Sequence, residues 1–147
     1  MSRNLLTATF DAATELKDAG AVTATAAAQV GGVARVVNLG NGIAQAVLVI
    51  DIDAIKTTGG DESYSIVLQG STSATFASDV YTLERVLVGD STVTGNSADS
   101  TVGRITRTVL NSADGATPLP YVRIYTTVAG TTPSVNFRAW LTKNPTA

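Results

Sequence analysis

From Tyr121 to Val128 the chain alternates without a break. Val122, Ile124, Thr126 and Val128 share one parity, and Tyr121, Arg123, Tyr125 and Thr127 share the other. A two-residue period is that of a β-strand, and it sends the two rows to opposite faces of a sheet. The aliphatic row suits a core, while the aromatic and Arg row suits water or a partner. The rest of the chain is compatible with the same geometry. Val, Ile and Thr supply 46 of the 147 residues, and these β-branched side chains lose rotamer freedom in helices but fit a pleated surface.

A chain of this length fits one domain that buries roughly 70% of the surface exposed when unfolded. With 44% apolar and 15% charged residues, it has the composition of a folded globule. Strands are expected at 33–39, 43–53, 63–69, 80–88, 102–110, 121–128 and 134–141, with a weaker one at 22–28. Turn residues bound them, among them Gly40-Asn41-Gly42, Gly59-Gly60-Asp61 and Asp114-Gly115. The expected fold class is all-β: a jelly-roll-like β-sandwich of about eight antiparallel strands with an N-terminal arm. In that arm, residues 1–13, Leu5, Leu6 and Phe10 are isolated apolar anchors. A segment reaching onto a neighbouring subunit and a first edge strand both fit it. The Ala-rich run 19–29 is read as strand or irregular arm rather than helix, since Val22, Thr23 and Thr25 interrupt it and no 3.6-residue stripe appears. Residues 89–101, rich in Ser, Thr, Asp and Gly, are expected to form a long exposed loop.

Several chemistries are disfavoured. The chain has no His and no Cys, which removes the usual proton shuttle, thiolate ligands, disulfides and a Ser/His/Asp triad. A net charge of −2 gives no electrostatic footprint for nucleic acid. Residues 1–10 lack the apolar core of a secretory signal, and the uncharged run 19–34 is too short and too polar to span a bilayer. No cofactor is expected. Asp51 and Asp53 share a strand face, with Asp61 and Glu62 just beyond a Gly-rich turn. Four such carboxylates can bind calcium or act as acid and base, but their spacing matches no EF-hand loop, and a solvated strand end is the preferred reading.

On the last two strands, Tyr121, Arg123 and Tyr125 are expected outward, and so are Asn136, Arg138 and Trp140. If the strands are neighbours, Tyr121, Arg123, Tyr125, Arg138 and Trp140 share one surface with the composition of interface hot spots. In the alternative, a twisted sandwich covers both faces and these side chains lie over core edges.

Residues 64–71, reading YSIVLQGS, followed by Ala74-Thr75-Phe76-Ala77-Ser78, resemble a segment of capsid cement proteins from tailed bacteriophages. The stretch 121–131, YVRIYTTVAGT, resembles the strand and turn near their C-terminus, and Val36-Val37-Asn38-Leu39-Gly40 resembles an early strand. The likeness spans about residues 5–141 and departs at the Thr/Ser-rich 89–101. It implies a non-enzymatic decoration protein on the outer capsid surface, assembled in the host bacterial cytoplasm, that bridges major capsid protein subunits and stabilises the shell. It also implies a homo-oligomer, with dimers at two-fold positions preferred over trimers at three-fold positions. A carbohydrate-binding jelly roll is the competing expectation, with Trp140 or Tyr side chains as a stacking platform and calcium at Asp51 and Asp53.

Overall fold

Alternating sequence becomes long strands, and the Ala/Gly-rich sequence becomes very short ones. The computed structural model describes residues 12–42, 45–109 and 112–143. After a 3-10 turn at Ala12–Thr14 come β1 (Glu15–Lys17), β2 (Ala21–Val22), β3 (Ala26–Ala27), β4 (Gln29–Val30), β5 (Val33–Ala34) and β6 (Val37–Asn38). The long strands β7 (Ala46–Ile55), β8 (Ser63–Ser71) and β9 (Tyr81–Gly89) follow. The helical turn α1 (Ser91–Thr94) precedes β10 (Gly103–Val109), the small pair β11 (Ala113–Asp114) and β12 (Thr117–Pro118), then β13 (Tyr121–Ala129) and β14 (Val135–Lys143).

Two antiparallel sheets dominate. One runs β1-β14-β7-β10, with β2 also on β14; the other runs β3-β13-β8-β9, with β6 also on β13. Their facing rows form one core. Leu48, Ile50, Phe137 and Ala139 from the first sheet meet Tyr64, Ile66, Val122 and Ile124 from the second, all 0% exposed. Each large apolar side chain so buried stabilises the fold by about 1.5–3 kcal/mol. The fold is all-β and sandwich-like.

Three expectations need correction. Fourteen strands rather than about eight appear among the described residues, because the segment 19–38 has no sustained apolar row and pairs only two residues at a time, and because β1, β11 and β12 add short pairings of their own. The stretch expected as one strand at 33–39 is split into β5 and β6, with Val33 69% exposed. The loop 89–101 contains α1, whose Asp90 cap accepts from Thr92 N at 2.8 Å and whose Gly95 closes it in a left-handed conformation. Leu5, Leu6 and Phe10 lie outside the described residues.

A buried cation holds β1 in place. A bulge between Glu15 and Lys17 lets three consecutive residues be buried. The Lys17 ammonium donates to the carbonyls of Asp18, Gly20 and Phe137 at 2.9, 2.8 and 2.9 Å, which uses all three of its donors. It also lies 4.6 Å from the centroid of the Phe137 ring. Burial lowers its pKa, with Asp18 and Asp53 opposing that shift.

The β10 and β9 edges are guarded. In β10, Arg107 shares the inward parity of Ile105 and Val109 but is exposed, and β9 carries Glu84 beside a bulge opposite Leu68 and Gln69. Charges at inward parity and bulges both discourage another strand from adding to an edge.

Candidate functional site

The outer face of the second sheet is built on the parity of β13. Val122, Ile124 and Thr126 point inward at 0%, 0% and 1% exposure, while Tyr121, Arg123 and Tyr125 point outward and are half-buried. Across the sheet, Tyr125 pairs with Val67, and Val67 pairs with Arg85. Arg123 pairs with Gln69, and Ser65 separates Thr127 from the exposed Leu87.

The half-burial of Arg123 comes from the loop 72–80, which folds back over this face. Ser71 Oγ donates to the Ser78 carbonyl at 2.7 Å and accepts from Ser73 N at 3.0 Å, and Thr72 Oγ1 donates to Asp79 Oδ2 at 3.0 Å. These bonds hold Phe76 and Asp79 at φ values of 56° and 53°, a left-handed conformation that costs a side-chain-bearing residue about 1–2 kcal/mol. The result is a Phe76 ring only 8% exposed, with the Arg123 guanidinium 4.2 Å from its centroid. Tyr125 lies on the same cation at 5.3 Å.

Arg123 is oriented as well as stacked. Its Nε donates to Gln69 Oε1 at 2.9 Å, which fixes the plane of the guanidinium. Burial lowers its pKa, and Tyr125 opposes the shift; the group stays cationic at physiological pH. No carboxylate among the described residues pairs with it. The same is true of Arg85, whose Nε donates to Ser65 Oγ at 2.9 Å. The terminal nitrogens of Arg123 are thus held ready with no acceptor among the described residues.

The five expected surface residues do not share one surface. β13 belongs to the second sheet and β14 to the first, because the turn after Ala129 crosses from one sheet to the other. Arg138 and Trp140 therefore face the opposite side of the sandwich from Tyr121, Arg123 and Tyr125. On that side Arg138 and Arg104 already have carboxylate partners, Glu15 at 3.5 Å and Asp51 at 3.1 Å. Trp140 is only 3% exposed and clusters with Val47 and Val49, while the Arg104 guanidinium sits 5.3 Å from its ring. It presents no open stacking platform.

The acidic cluster also differs from a solvated strand end. Asp51 pairs with Arg104, and Asp61 Oδ2 accepts from Thr131 N and Oγ1 at 3.0 and 2.7 Å. Glu62 is fully buried; its Oε1 accepts from Gly59 N at 2.9 Å and lies 3.7 Å from Lys56 Nζ. Among the described residues no three acidic side chains converge as metal ligands would. Tyr64 completes this polar end, donating to the Lys56 carbonyl at 2.8 Å and accepting from Ser134 N at 2.9 Å.

Tyr64→Phe is expected to lose about 1–3 kcal/mol at neutral pH, because both of those backbone groups lose their partner. Burial, reinforced by the charges of Glu62 and Asp61, raises the Tyr64 pKa, with the Ser134 bond opposing. The unfolded chain then releases this proton first. The corresponding stability is complete below the ordinary value of 10.0 and is lost as pH rises through the raised value. Urea midpoints should therefore fall more steeply above pH 10.0 in the parent than in the Phe variant.

The sequence reading did not single out Phe76 or Gln69 as parts of an Arg cradle. The usable signal was an isolated aromatic in a Ser/Thr loop directly after a strand. An open cleft of about 490 Å³ lies beside the Ala-rich segment, walled by Ala21, Ala26, Ala27 and Gly32, and the one ammonium there, Lys17, is already saturated by carbonyls. Among the described residues no helix is long and apolar enough to cross a membrane. No protein-family model matches the chain, and no curated protein matches it.

Proposed function

We propose that this chain is a structural virion protein: a cement or decoration protein that grips the outer surface of a tailed-phage head and bridges major capsid protein subunits. The observation that carries this reading is the outer face of the β13 sheet, where a half-buried Arg123 is clamped by Phe76, Tyr125 and Gln69 without a counter-ion among the described residues. Stacked Arg and Tyr side chains are the anchors that dominate protein interfaces. The sequence likeness at 64–78 and 121–131 supports the same reading, and the jelly-roll connectivity implied by that likeness belongs to the proposal.

The mechanism is additive adhesion. Guarded edges discourage strand addition and leave the faces for contact. A single face of standard size buries roughly 1,200–2,000 Å² in a complex. Joining several such contacts through a homo-oligomer, a dimer before a trimer, makes each later contact intramolecular, so that release requires several to break together. The working location is the outer capsid surface, after assembly in the host cytoplasm, with no nucleic acid, membrane or cofactor involved.

Purified protein added to mature heads stripped of it should rebind to a fixed number of copies per shell and raise the temperature at which the heads rupture. Binding without saturation, or saturation with no gain in head stability, would remove the basis for this reading.

A further inference from the structure

The two outer faces of the sandwich treat their cations differently. On the β14 face, Arg104 and Arg138 each have a carboxylate within the chain. On the β13 face, Arg123 and Arg85 have none among the described residues. The acids on neighbouring elements are engaged elsewhere: Asp79 accepts from Thr72 Oγ1, Glu84 accepts from Arg85 N, and Asp114 bonds to Tyr81. A chain with net charge −2 therefore carries one face whose stacked guanidinium lacks an anion among the described residues.

The geometry points to a carboxylate receptor: the β13 face takes an Asp or Glu side chain of its protein partner on the terminal nitrogens of Arg123, with Arg85 attracting a second acid. This deepens the docking reading above and rests on it. Three features favour it. The guanidinium has already lost part of its hydration beneath Phe76, so binding an anion displaces less water than at a solvated Arg. Its plane is fixed by Gln69 and the two rings, which leaves the fork preset for a two-point carboxylate contact. β13 and β9 lie two strand spacings apart, about 10 Å, so an acidic segment crossing the sheet can reach both Arg side chains. Nucleic acid is disfavoured as the source of the anion, because the chain as a whole repels a polyanion.

Two arms separate this inference from the cement reading. In the first, the free protein is titrated with blocked tetraglutamate, tetraglutamine and inorganic phosphate while the Arg Nε–H resonances are followed by NMR. The Arg123 resonance, assigned by its absence from the spectrum of Arg123→Gln, should shift with tetraglutamate. No shift, an equal shift with tetraglutamine, or a larger shift with phosphate would overturn the carboxylate assignment. In the second arm, stripped heads are amidated at their carboxyl groups and challenged with parent protein and Arg123→Lys, which should remain fully folded at the binding temperature by circular dichroism. Amidation and the Lys substitution should each weaken binding about tenfold or more, since an ammonium cannot make the two-point contact. Unchanged binding in both would overturn the inference with the cement reading intact, whereas a parent that never binds heads but responds to tetraglutamate defeats only the cement reading.

Discussion

Replacing Phe137 with alanine is expected to destabilise the fold by about 4 kcal/mol, the range for emptying a fully buried aromatic site. The ring is 0% exposed, on the strand that joins β1 to β7. It packs between the sheets and also faces the Lys17 ammonium at 4.6 Å. Removing it leaves a cavity and takes away one partner of a buried cation. At about 3 °C per kcal/mol for a domain near this size, the melting temperature should drop by about 12 °C. Phe137→Leu, which keeps more of the volume, should lose about half as much. If alanine costs less than about 1 kcal/mol, the site is not packed as described.

Gly89→Ala is expected to be nearly as damaging, by about 3 kcal/mol, through the backbone rather than the core. Gly89 closes β9 at φ 141°, and a Cβ there would stand 2.4 Å from the Glu62 carbonyl oxygen and 2.9 Å from Ser63 Cα. Both obstacles are main chain, so no rotamer change relieves them. Its carbonyl and N–H are bonded to Ser100 N and Oγ at 2.9 and 3.0 Å, so a shift of Gly89 also loosens the connection to β10. Denaturant midpoints measured beside Gly95→Ala, where nothing lies within 4 Å of an added Cβ, would separate this clash from the conformational penalty alone. Equal losses at the two positions would contradict the clash.

The long strands were legible in the sequence because their chemistry is local. The alternation at 121–128 located β13 to within a residue, and 63–69, 80–88, 102–110 and 134–141 fell on β8, β9, β10 and β14. Which sheet each strand joins was not legible. Parity shows that Arg123 and Arg138 both face outward, but the turn after Ala129 decides that they face outward on opposite sides. Nor does composition announce a buried Lys17, whose three carbonyl partners come from a local turn and a strand 120 residues away. The cradle around Arg123 was half legible. Tyr125 shares its parity row, whereas Phe76 reaches it through a loop whose left-handed residues carry no periodic signal.

The proposed cement role is tested most directly by a cryo-EM map of stripped phage heads to which the protein has been added, read for whether it binds and which face meets the shell. Tyr121, Arg123 and Tyr125 are expected within contact distance, about 4 Å, of shell residues, with a shell carboxylate seated on Arg123. A map in which that face looks into solvent while the β14 face or an edge holds the shell would contradict it.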